Sequence, residues 1–419
     1  MSALDKLLSL REKMQQNVQQ CILPFWCDFM EDTKNGGFWG MVDNDLQPVA
    51  DYPKAIVLNC RMLWTYSMAY SVFRNERYAE LAKRAFSYIR DHFWDKEFGG
   101  AYWMLNYQGI PLEIEKRTYG QAFIIYSMAE YYHVFGDQEA LDMAMNTFEL
   151  VNRYVRYENG GYADSVQRDW SKDFWVWKWV MNPNGAAKLL NSHLHLFEAT
   201  ITLLEATGSE AVKATLKEFL LFLLDVAFDK SIHHLKAGMD ENGDRIDNEV
   251  SFGHDSECSY LLVWAAQLIG EPALLARAEQ TALDIMEHVY AEGLDPVLGG
   301  MYNESDLSTG HVDKSKVWWV QAEGITAFIN CYQISGNQKF VDAAAGIWKY
   351  VEENLVDWEK GEWFAVGYDP GIDDLSRISA DNTVRMCCGK ASKPKCPYHN
   401  SRSCFEMMKR VALIQNSNG

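Results

Sequence analysis

Stretches of helical pattern in this sequence end in the same kind of breaker, at Arg74, Gly136, Gly208, Gly270 and Gly336. At one constant offset before each breaker stands Arg61, Phe123, His195, Glu257 or Glu323, and one helical turn earlier come Tyr119, Asn191, His254 and Trp319. Charged groups seldom enter an apolar helix without a partner, so their return at one level of successive helices implies a shared polar pocket. The types suit proton transfer. An imidazole with an ordinary pKa near 6.5 gives or takes protons at neutral pH, carboxylates do the same when shifted, and a guanidinium steadies developing negative charge. Glu257 and Glu323 also fit a plainer role as ion-pair partners of Arg61. His92, His133, His193, His233, His234, His288 and His311 are read as structural.

The stretch KCPYHNSRSC, from Lys395 to Cys404, looks at first like half a zinc site, with Cys387 and Cys388 just upstream. Zinc sites usually place paired ligands two to four residues apart, and no two of these cysteines are so spaced. HDSE at 254 offers one His and one Glu on a helix with no second His. No metal is expected, and the cysteines are read as small reduced core residues.

The elements that must carry these side chains form a repeat. Stretches such as YGQAFIIYSMAEYYHVF and NSHLHLFEATITLLEAT are apolar on most faces and read as buried helices. Each is followed by a breaker and a polar residue, as in FGDQEA and TGSEAV, and then by an amphipathic helix such as Tyr78, Leu81, Ala82, Ala85, Phe86, Ile89 and Phe93. A glycine hairpin closes the unit: NGGFWG, FGGAYW, NGGYAD, LGGMYN and KGEWFA, the last with Glu in place of the second Gly. The period is about 61 to 75 residues. With an N-terminal outer helix and a last buried helix in HNSRSCFEMMKRVAL, six helix pairs result. The spacing therefore predicts an all-α (α/α)6 barrel of twelve helices with short β-hairpins in the connections, one domain over residues 1–419, in preference to an open solenoid.

Composition narrows the partner. The chain has 419 residues, 48% apolar and 23% charged, with a formal net charge of −19. Nucleic acids and anionic membranes would repel such a protein, which leaves a small, neutral ligand. The N-terminal MSALDKLLSLREKMQQNVQQC lacks the apolar core of a signal peptide, so a cytoplasmic monomer or weak homo-oligomer is expected. Aromatic residues make up 13% of the chain, including 15 Trp and 21 Tyr, the side chains that stack on sugar rings.

SFGHDSE, KVWWVQAEG, NSHLHLFEA and KCPYHNSR, in these positions, resemble the cellobiose 2-epimerase and mannose 2-epimerase branch of the N-acylglucosamine 2-epimerase superfamily. The resemblance covers essentially the whole chain. It implies an (α/α)6 barrel and inversion of C2 in a glucose or mannose unit, without metal or nicotinamide cofactor. By the matching motifs, His254 and His399 resemble the paired acid/base histidines. His195 and Glu257 resemble the residues that assist ring opening and orient His254. Arg61, Tyr119, Asn191, Trp318, Trp319 and Glu323 fall at positions resembling the substrate-binding set. Two opposed histidines, one neutral and one protonated, would remove a proton from one face of C2 and return one to the other.

One departure bears on the substrate. Disaccharide epimerases of this family usually carry a Trp immediately before KCPYH, where it stacks on the second sugar, and here Pro394 stands there. The segment RDWSKDFWVWKWVMNPNGAAK from Arg168 also differs from the usual loop. The sequence reading is therefore a mannose/glucose 2-epimerase working through an enediolate, with cellobiose 2-epimerase as the alternative. An aldose-ketose isomerase or an (α/α)6 glycoside hydrolase is more distant.

Overall fold

A computed structural model describes residues 2–172, 185–367 and 389–417. Helix α1 (Ala3–Asn17) passes through a π turn at Val18–Ile22 into Leu23–Phe29. There follow α2 (Ile56–Phe73), α3 (Glu76–Tyr88), α4 (Thr118–Phe135), α5 (Gln138–Tyr154), α6 (Leu190–Thr207) and α7 (Glu210–Phe222). Then come α8 (Phe252–Ile269), α9 (Pro272–His288), α10 (Trp318–Ser335), α11 (Gln338–Asn354) and α12 (Tyr398–Ser417). Even-numbered helices form an inner ring, each packed on the next, and α12 closes it by packing on both α10 and α2. Odd-numbered helices form the outer layer, α1 lying against α12 and α11. The architecture is the expected (α/α)6 barrel.

The repeat signals correspond to definite backbone devices. Arg74, Gly136, Gly208, Gly270 and Gly336 all have positive φ and end α2, α4, α6, α8 and α10 as left-handed caps. The next polar residue starts the outer helix: Asn75, Asp137, Ser209 and Asn337 each accept an amide N–H of its first turn. After IGE the cap is replaced by Pro272 in the first turn of α9. These two-residue turns hold each outer helix antiparallel to its inner partner.

Hairpins and short strands gather at the N-terminal ends of the inner helices. Lys54–Ala55 pairs with Met104–Leu105 ahead of α2, Lys188–Leu189 with Gly238–Met239 ahead of α6, and Glu249–Ser251 with Glu304–Asp306 ahead of α8. A buried ion-pair ladder ties four of the five glycine hairpins to the approach of an inner helix: Lys54 to Asp32 at 2.8 Å, Lys116 to Asp95 at 3.0 Å, Lys316 to Asp295 at 2.9 Å and Lys390 to Asp357 at 2.7 Å. Each hairpin Asp also accepts amide N–H groups of its own turn, as Asp295 does from Val297 and Leu298. The carboxylate thus shapes the turn and anchors the next helix together.

The described cysteines are buried free thiols. Cys387, Cys388 and residues 173–184 of the divergent loop lie outside the described residues. Among the described residues no helix is long and apolar enough to cross a membrane.

Candidate active site

At the end of the barrel where the inner helices begin, a cavity of about 530 Å³ opens between the hairpins. Arg61, Tyr119, Asn191, His195, His254, Glu257, Trp318, Trp319 and His399 all line it. Six helices supply them, one from each repeat, because the constant offset in sequence is a constant height in the ring. Glu323 alone of the expected set lies behind the wall, bonded to residues that face the cavity.

The floor is a charge network centred on Arg402. Its guanidinium donates to Glu198, to Glu257 at 2.5 Å and to Glu323 at 2.7 Å, so one side chain of α12 joins α6, α8 and α10. Tyr398 donates to Glu198, and Tyr260 to Glu323 at 2.9 Å. His195 Nδ1 lies 3.3 Å from Glu198 and His399 Nδ1 lies 2.6 Å from Glu323. Two sets, His195 with Glu198 and Glu257, and Glu257 with Glu323 and His399, bring donor atoms within 4.8 Å of one another, a spacing a metal could use. In both sets Arg402 already supplies positive charge to the carboxylates, which makes a second cation there unfavourable.

Burial governs protonation here. Burial raises Glu198, but Arg402 and His195 outweigh it and hold the carboxyl at about 2, so it stays ionised. Glu257 is raised by burial and by the charge of Glu323, and Glu323 is raised by burial against the pull of Arg402. His254 is half-buried and opens on the cavity, yet the depth of that cavity, together with His195, pushes it down to about 3. His399 is driven well below the ordinary histidine value by burial and then by Arg61 and Arg402. Both imidazoles are therefore neutral at pH 7 in the free protein. The expectation of one charged and one neutral histidine fails because two guanidinium groups stand beside a buried ring.

Two further expectations change. Arg61 pairs with no carboxylate among the described residues. Its guanidinium donates to the Tyr119 hydroxyl at 2.7 Å and to Cys396 Sγ at 3.2 Å, and it stacks 4.4 Å from the Phe123 ring centre. Cys396 is thus a partner of Arg61 as well as a packing residue. Among the described residues Glu257 makes no side-chain hydrogen bond to His254; Arg402 takes one of its oxygens, and the other is buried with no partner there. The rings of His254 and His399 instead both contact Trp319, at 4.9 and 5.6 Å between ring centres.

Sequence reasoning missed Glu198, Tyr260, Tyr398 and Arg402. The signal for two of them was present: Glu198 follows His195 by three in NSHLHLFEA, and Arg402 follows His399 by three in KCPYHNSR, the spacing that puts two side chains on one helix face. The ion-pair ladder was also legible, as an Asp opening the glycine turns and a Lys before the inner helices.

In sequence and fold the chain matches known proteins over nearly its whole length. Residues 37–369 match the family described as N-acylglucosamine 2-epimerase (GlcNAc 2-epimerase). A cellobiose 2-epimerase of Bacteroides fragilis is 35% identical over 404 residues, covering 95% of this chain and 98% of the relative. One from Ruminococcus albus is 34% identical over 401 residues, with 95% and 98% covered. The solved structure of cellobiose 2-epimerase from Bacillus thermoamylovorans B4167 superposes with a TM-score of 0.86 at 30% identity, covering 96% of this chain and 99% of that one. The chain belongs to the N-acylglucosamine 2-epimerase family. It is a carbohydrate epimerase of the isomerase class, a sugar 2-epimerase.

Proposed function

We propose that the protein epimerises C2 of the reducing-end glucose unit of a β-1,4-linked disaccharide such as cellobiose. Whole-length similarity to relatives of that name supports this reading over the free mannose/glucose exchange suggested by Pro394. The observation that carries the chemistry is the pair of imidazoles, His254 and His399, that line one cavity and both contact the Trp319 ring.

The side chains divide the work as follows. Glu257, raised in pKa and with one free oxygen, and His195, held by Glu198, assist ring opening. The C2 proton of the open-chain aldehyde is acidic because its loss gives an enediolate. His254, uncharged and with no side-chain hydrogen bond among the described residues, takes that proton. Arg61 faces the enediolate oxygens, which lowers the barrier by placing fixed positive charge where negative charge develops. His399 returns a proton from the other face of C2 through Nε2 and recovers one at Nδ1 from Glu323 in its protonated form, which burial favours. The proton gained by His254 and the one lost by the His399 and Glu323 pair balance, and the reverse turnover or solvent resets them. Trp318, Trp319 and Tyr119 hold the ring, and Asn191 is placed to bind its hydroxyls.

Incubation with cellobiose in D2O, followed by NMR, tests this reading. The expected product carries mannose at its reducing end with deuterium at C2. A ketose would point to an isomerase, and free monosaccharides to a hydrolase. His254→Ala and His399→Ala should each lower turnover by about 10² to 10⁴-fold. Substantial C2 exchange in either variant would remove that histidine from the mechanism.

A further inference from the structure

Four of the glycine hairpins place a glycine at the second turn position with positive φ: Gly37, Gly100, Gly161 and Gly300, at 61, 65, 75 and 75°. In the hairpin KGEWFA the same position is Glu362, with φ of 63°. A non-glycine residue is strained there. The Glu362 side chain is also fully buried. Its Oε1 accepts from Lys395 Nζ at 2.6 Å, from Asn400 Nδ2 at 2.7 Å and from the Trp363 amide at 2.9 Å, and its other oxygen accepts from the Trp26 indole. Asn400 is the neighbour of His399 in the first turn of α12. Lys395, itself buried, lies 5.5 Å from the ring centre of Trp318, a wall of the cavity. A buried carboxylate on a strained backbone, bonded on both sides of His399, does more than close a turn.

We propose that Glu362 is a positioning residue that sets the entry of the KCPYHN segment into the barrel, and with it the aim of His399 and the seat of Trp318. The proposal rests on the reading of His399 as a proton carrier. The positive φ fixes where the carboxylate points. The carboxylate fixes Lys395 and Asn400, and these fix the segment between them. In the other four hairpins this position is a glycine, which has no side chain to reach the next inner helix.

Three variants of the full chain test it. Glu362→Gly relieves the backbone and removes the carboxylate. Glu362→Gln keeps the shape and removes the charge. Glu362→Gln with Lys395→Met leaves no buried amine unpaired, and so keeps a folded variant available if the single changes do not fold. The expected result is a loss of about 10²-fold in kcat for C2 exchange with KM nearly unchanged, the cost of a misplaced proton carrier. In ¹⁵N-histidine NMR spectra the His399 ring signals should shift, while those of His193, on the far side of the ring, stay put. A Glu362→Gly protein with wild-type kcat and an unmoved His399 signal would make Glu362 a turn residue only and overturn the proposal. A wild-type protein with no exchange on any sugar would sink the proposed function instead, and the His399 signal would still decide this inference.

Discussion

At the scale of single residues, the two candidate proton carriers are set by desolvation. His254 is held at about 3, so its base form is already present above that pH. A histidine whose pKa is depressed on folding is neutral at every pH between its shifted value and the ordinary 6.5. The acid limb of kcat/KM is therefore expected below pH 5, where an unperturbed histidine base would give a limb near 6.5. A measured profile falling through 6.5 would show that His254 is not the base, or that it is not desolvated. Pro394 makes a second residue-scale prediction. It is exposed at the cavity rim, where the family's usual Trp is absent. Pro394→Trp should lower KM for cellobiose about fivefold, the equivalent of about 1 kcal/mol of stacking, and leave KM for a monosaccharide unchanged. An equal effect on both would mean that no second-sugar site lies there.

At the scale of elements, the helices were largely legible because their signals are local. A left-handed cap followed by an N-capping side chain is chosen by two adjacent residues, and the sequence shows both at each turn. Arg74 fills the cap position without glycine, yet the repeat still located it. The ion-pair ladder is less local: Lys54 and Asp32 are far apart in sequence and meet in a site where neither is solvated. Lys54→Met should cost about 3 kcal/mol in urea denaturation, since it strands Asp32 without its counter-ion. Adding Asp32→Asn should recover much of that loss. A single variant as stable as the wild type would show that water reaches this pair.

At the scale of the whole molecule, one guanidinium joins the ring. Arg402 enters from α12, the last helix, and pairs with carboxyl groups from three other inner helices. The helix that closes the barrel therefore also completes the floor of the site. Arg402→Met should destabilise the fold by about 3–5 kcal/mol, because three acidic groups would share a buried floor with no cation. A stable Arg402→Met protein would show that these carboxyls can be protonated at little expense, and its stability should then fall steeply as pH rises.

The sequence alone determined what repeats. Periodic apolar faces, capping pairs and glycine turns are read by short-range sterics and hydrogen bonding, and a constant offset along like helices becomes a constant height in a ring. That was enough for the barrel, and for placing Arg61, His195, His254 and Glu257 around one cavity. Only the tertiary structure decided who pairs with whom. Arg402, not Arg61, meets the carboxylates; Arg61 leans on Tyr119 and Cys396; Glu323 backs His399 instead of lining the cavity. These choices depend on distances across the ring and on how completely each charge is desolvated, and neither quantity is carried by residue types and their spacing along the chain.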